Sequence, residues 1–88
     1  MIILIDRSFE KDAKRLPHDV QKKLKQLILQ LQQAKSFSDL GCEKLSGSQN
    51  AYRIRLGNYR IGIYKEEEMV VLSRVLNRKE IYRYFPKK

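Results

Sequence analysis

Five side chains in the second half of the chain carry its chemistry: Arg53, Arg55, Arg60, Arg78 and Tyr82. The first three lie in "AYRIRLGNYRIGIY", residues 51–64, which reads as a β-hairpin closed by the two-residue turn Gly57-Asn58. That turn sets a register in which Leu56 faces Tyr59, Arg55 faces Arg60, Ile54 faces Ile61 and Arg53 faces Gly62. Alternation then puts Tyr52, Ile54, Leu56, Tyr59, Ile61 and Ile63 on one face, and Arg53, Arg55 and Arg60 on the other. Like charges directly opposite one another destabilise a strand pair. No acidic residue is interleaved in the hairpin, and Gly62 leaves open space beside Arg53. Such a basic cluster is expected where an anion normally sits. Downstream, "NRKEIYRY" adds Arg78, Lys79, Tyr82, Arg83 and Tyr84. Guanidinium forks match phosphate geometry, and a tyrosine ring beside them stacks on an unpaired base for about 1–3 kcal/mol. Tyr84 and Phe85 read as anchors of the tail.

Charge over the whole chain agrees. The 88 residues carry a net charge of +9 with a pI near 9.9, which points to a polyanion, nucleic acid before a membrane surface. Lysines concentrate in the first half, whereas six of the eight arginines follow residue 50. Cys42 is the single cysteine, so no internal disulfide is possible, as expected of a reducing, cytoplasmic setting. With His18 the single histidine, a zinc site is not expected from one Cys and one His, the two do not have the spacing of a known Cys–His nucleophile, and no metal or cofactor is expected. The opening "MIILI" is too short for a signal peptide's apolar region, and no stretch approaches a membrane helix in length.

These residues need a scaffold. "IILID" reads as a short strand. Ser8 is the expected N-cap of a helix through Arg15, with Phe9, Ala13 and Leu16 on one face. Pro17 suits the first position of a second helix. Val20, Leu24, Leu27, Ile28 and Leu31 form its apolar stripe, and it should end between Ala34 and Phe37. Residues 38–50 read as a loop. Three strands follow: the two arms of the hairpin and "MVVLSRVL", whose near-continuous apolar run suits a central strand. "EEE" at 66–68 marks the turn between the last two. The expected fold is α+β, a single domain over residues 1–88, with two N-terminal helices packed on a small, mostly antiparallel four-stranded sheet.

The ordered pieces "KLSGSQNAYRIRLGNYRIGIY" and "VVLSRVLNRKEIYRYF", with "LPHDVQKKLKQLI" upstream, resemble the RelE/ParE superfamily of toxins from type II toxin–antitoxin pairs, and the RelE-like branch most. The resemblance spans nearly the whole chain. It implies a RelE-like fold and an activity: ribosome-dependent, metal-independent cleavage of mRNA in the A site, in which a 2′-hydroxyl attacks the adjacent phosphate. By the same resemblance Arg53 and Arg60 would clamp the phosphate, Arg78 would stabilise the leaving oxygen, and Tyr82 would orient a nucleotide. Lys44, Arg74, Lys79 and Arg83 would supply further RNA contacts. The implied partners are a RelB-like antitoxin and mRNA on the ribosome. The chain departs from the family pattern at Asn77, where a histidine is frequent, and at Arg55, which takes a position often given to a basic lysine. Arginine stays protonated and is a poor base. Either charge stabilisation carries the step, or the ribosome or the RNA supplies the base. A ParE-like DNA gyrase inhibitor and a non-catalytic nucleic-acid- or antitoxin-binding homologue remain alternatives, since fold does not decide among them.

Overall fold

The hairpin forms in the register that its turn dictates. Gly57 takes a positive φ of 61°, and the strands Ala51–Leu56 (β3) and Tyr59–Glu66 (β4) pair antiparallel with Arg55 across from Arg60 and Arg53 across from Gly62. This computed structural model describes residues 1–35 and 40–86. Before β3 come Ile2–Ile5 (β1), Arg7–Lys14 (α1), His18–Gln33 (α2) and Glu43–Lys44 (β2). After β4 come Met69–Asn77 (β5) and the one-turn helix Ile81–Tyr84 (α3).

The sheet has five strands in the order β1-β5-β4-β3-β2. Two features correct the expected four-stranded sheet. The two-residue strand β2 lies inside the segment read as a loop, pairing Glu43 with Arg53 and Lys44 with Tyr52. Two residues are too few to show an alternating pattern. The strand β1 runs parallel to β5, Ile2 against Met69 through Ile5 against Leu72, with both helices between it and the rest of the sheet in sequence. The other three pairings are antiparallel.

Both helices cover one face. Phe9 and Leu16 from α1 and its exit, and Leu24 and Leu31 from α2, pack with Ile54, Ile61, Ile63, Val70, Leu72 and Val75. Tyr52, Leu56 and Tyr59 border the same cluster, so the apolar face of the hairpin is the one that alternation selects. Pro17 is the N-cap of α2, and its carbonyl accepts the Gln21 N–H at 3.0 Å. The N-cap of α1 is Asp6, not Ser8; the Ser8 hydroxyl instead donates to the Ser73 carbonyl at 2.8 Å, tying α1 to β5. The α2 helix ends at Gln33 with Ala34 extended, one residue before the expected range, whose end at Phe37 lies outside the described residues.

Between β4 and β5 the register shifts: Ile63 pairs with Leu72 and Gly62 with Arg74, leaving Ser73 as the extra residue of a β-bulge. The bulge brings Val70, Leu72 and Val75 all into the helix-side core although strict alternation would exclude one of them.

On the opposite face, α3 and the tail build a second small cluster. Ala51, Ile81 and Phe85 are buried there, bordered by Leu45, Tyr64 and Leu76. A Cβ on Gly62 would lie 2.5 Å from Cγ of Phe85. The open space expected at Gly62 is therefore filled by the chain's own tail, because Phe85 needs a flat place against the sheet.

Candidate nucleic-acid interface

The face that carries Phe85 also carries the arginines. Arg55 is the most open of them, with two-thirds of its side chain exposed, next to the hairpin tip. Across from it, Arg60 donates through one Nη1 to the Gly57 and Tyr59 carbonyls, both at 2.8 Å, and so stays close to the turn. The N–H of Arg78 donates to the Asn58 carbonyl at 2.9 Å. That bond fastens the end of β5 to the hairpin tip and leaves Arg78, exposed, next to the turn that joins the strands of Arg55 and Arg60. Three cations on three consecutive strand ends thus converge on one short edge. Asn77 caps the turn that follows, its Oδ1 accepting the Lys79 N–H at 2.9 Å.

Arg53 is placed differently. Its Nη2 and Nε donate to one oxygen of Glu43, Oε2, at 2.7 and 3.2 Å. The other oxygen of Glu43 is 3.7 Å from Nε of Arg55. On its far side the Arg53 Nη1 donates to the Tyr82 hydroxyl, and the guanidinium carbon lies 5.9 Å from the Tyr82 ring centroid. An acidic residue is therefore part of the arginine face, supplied by β2 and not by the hairpin. The hydrogen bond from Arg53 and then its charge hold the Glu43 carboxyl below its ordinary value, with Arg55 and Arg60 adding to the effect. Conversely, the bond to Glu43 and then the bond to Tyr82 raise Arg53. Tyr82 is half exposed, its hydroxyl tethered by Arg53 and its ring beside that guanidinium.

Arg74 lies apart from this set. Its Nε and Nη2 donate to the two carboxylate oxygens of Asp12 at 2.7 and 3.0 Å, and its guanidinium stacks 4.9 Å from the Tyr84 ring centroid. Asp12, only 7% exposed, also accepts the Val75 N–H at 3.2 Å. Arg74 is thus a strut between α1, the bulge and α3, with the donors that would meet a phosphate directed at Asp12. Lys44, Lys79 and Arg83 are exposed.

Sequence reasoning missed Glu43 and Asp12. Asp12 left a signal: it falls between Phe9 and Leu16 at helical spacing, on the buried side of α1. Glu43 left none, since its place depends on a strand of two residues.

The chain from residue 3 to residue 82 matches the family model described as the ParE toxin of type II toxin–antitoxin systems, parDE. This chain belongs to that family. Within the RelE/ParE superfamily it is of the RelE-like branch. It is 43% identical to Toxin RelE3 of Methanocaldococcus jannaschii over 98% of this chain and 100% of the relative. The RelB–RelE antitoxin–toxin complex from Methanococcus jannaschii superposes with a TM-score of 0.80 at 42% identity, covering 94% of this chain and 99% of that one. The intact RelBE complex of E. coli, at 20% identity and a TM-score of 0.69 over 86% and 94% of the two chains, shares the fold. Helices on one face of a five-stranded mixed sheet are the RelE-like form of this toxin family.

Proposed function

We propose that this chain is the toxin of a type II toxin–antitoxin pair and acts in the cytoplasm as an mRNA interferase, an endoribonuclease that cuts message on the ribosome, with residues 1–88 working as one domain. The observation that carries this reading is the gathering of Arg55, Arg60 and Arg78 at the hairpin-tip end of three neighbouring strands, Arg55 and Arg78 exposed and Arg60 half-buried, with Tyr82 held on the same face by Arg53. In-line attack of a 2′-hydroxyl on the adjacent phosphate spreads negative charge over the phosphoryl oxygens. Preorganised cations are the main means by which a protein stabilises that charge. In this reading guanidiniums supply the charge that other nucleases draw from a metal ion. Arg55 and Arg60 meet the phosphate, Arg78 faces the leaving 5′-oxygen, and Arg53 holds Tyr82 where its ring can stack on a nucleotide. Lys44, Lys79 and Arg83 add contacts to the flanking backbone; Arg74, engaged by Asp12, adds none. The site has few groups that read bases, so the ribosome must place the substrate. The partner that neutralises the toxin is a RelB-like antitoxin, in keeping with the relatives named above.

Mapping mRNA 5′ ends by primer extension in a translating extract tests the reading. Cuts on translated message, with codon phasing and absent when initiation is blocked, are expected. No cuts but inhibited supercoiling would turn the assignment to a ParE-like gyrase inhibitor, and neither effect would leave a binding protein.

A further inference from the structure

The reaction proposed above needs an acceptor for the 2′-hydroxyl proton, and a guanidinium cannot serve. The one histidine, His18, begins α2 on the helix side of the sheet. Among the described residues, Glu43 is the carboxylate in ion-pair contact with the arginine set. We propose that Glu43 is the general base of this chain, taking the proton of the ribose 2′-hydroxyl as that oxygen bonds to the adjacent phosphorus. The inference rests on the RNA-cleavage reading.

The geometry assigns the two carboxylate oxygens different tasks. Oε2 accepts two N–H groups of Arg53, which fixes the carboxylate in place on an edge strand. Oε1 has only the loose 3.7 Å approach of Arg55 and is open to a hydroxyl. Glu43 is half exposed, so a substrate can reach it. The charged and titratable groups around it are Arg53 and Arg55 from β3, Arg60 from β4, and Tyr82 of α3 through Arg53. A half-exposed glutamate is ionised at neutral pH, the state a base must be in, and the arginines favour that state further. A phosphate arriving on Arg55 and Arg60 withdraws part of that support and adds negative charge nearby, which raises the basicity of Glu43 as the reaction begins.

The step balances without a further reactant. The proton passes from O2′ to Oε1, the O2′–P bond forms and the P–O5′ bond breaks. The electron pair leaves on O5′, which takes a proton from water while Glu43 returns its own to solvent. The products are a 2′,3′-cyclic phosphate and a 5′-hydroxyl.

The test compares the full-length protein with its Glu43→Gln and Glu43→Asp variants on a defined message bound to ribosomes, resolving kcat from KM. Glutamine keeps an oxygen for Arg53, and aspartate keeps the charge, so fold and tether survive in at least one of them. Glu43→Gln is expected to lower kcat about 100-fold or more, with KM unchanged or lower, and Glu43→Asp to fall between it and the parent. A Glu43→Gln protein that cleaves as fast as the parent, or faster with tighter binding, would overturn the inference and mark Glu43 as an anion that merely competes for Arg53. That failure is distinct from failure of the function itself, in which the unmodified protein cuts nothing and both readings fall.

Discussion

Phe85 lies where a side chain at position 62 would have to go: a Cβ built on Gly62 would meet the ring at 2.5–2.7 Å. The tail seats its last large apolar residue on bare backbone in the middle of β4, with the Tyr64 ring 5.0 Å away. Gly62→Ala should therefore destabilise the fold by about 1–3 kcal/mol, since a buried ring must move. Phe85→Ala should do so by about 3 kcal/mol or more. Urea unfolding of both and of the double variant checks the pairing. The double variant should lose less than the sum of the singles, because without the ring the added methyl meets nothing.

Asp12 and Arg74 form the most buried ion pair described here. Arg74→Ala leaves a buried carboxylate with a single N–H partner and is expected to destabilise by about 3 kcal/mol. Its affinity for RNA, measured on protein that remains folded, should stay near the parent's. A large loss of affinity at full stability would return Arg74 to the interface.

Arg60→Ala and Arg78→Ala should each abolish toxicity in cells while leaving the far-UV spectrum and unfolding midpoint close to the parent's. Neither side chain is part of an apolar core cluster. Retained toxicity in a folded double variant would remove the hairpin tip from the mechanism.

Glu43 titrates below its ordinary value of 4.5 because Arg53 bonds to its charged form. A depressed carboxylate contributes stability that is fully present above the unfolded value and is lost as pH falls through the folded one, so Glu43 makes stability depend on pH only below about 4.5. Carboxyl chemical shifts followed by NMR should place Glu43 below its ordinary value of 4.5. Arg53→Ala should move it upward toward 4.5, and a Glu43 that stays put would mean that Arg53 does not hold it.

Glu67 supplies the turn between β4 and β5 at a φ of 54°, a conformation that L side chains resist. Glu67→Gly should raise stability by about 0.5–1 kcal/mol, read as a higher urea midpoint.

What the amino-acid order determined by itself is whatever depends on near neighbours. The Gly57-Asn58 turn and two-residue alternation fix which side of the hairpin is basic and place Arg55 against Arg60, and helical spacing fixes the apolar stripe of α2. Contacts between residues far apart in the chain were decided only in three dimensions. The parallel pairing of β1 with β5, the seating of Phe85 on Gly62, the capture of Arg74 by Asp12, and the arrival of Glu43 on the arginine face all join segments with no shared local pattern. The arginines' repulsion was legible in the hairpin; their partial neutralisation was not, because the carboxylate that provides it comes from another strand. Local geometry is set by torsions and turn chemistry within a few residues. Which distant group fills a given space depends on how the whole chain packs.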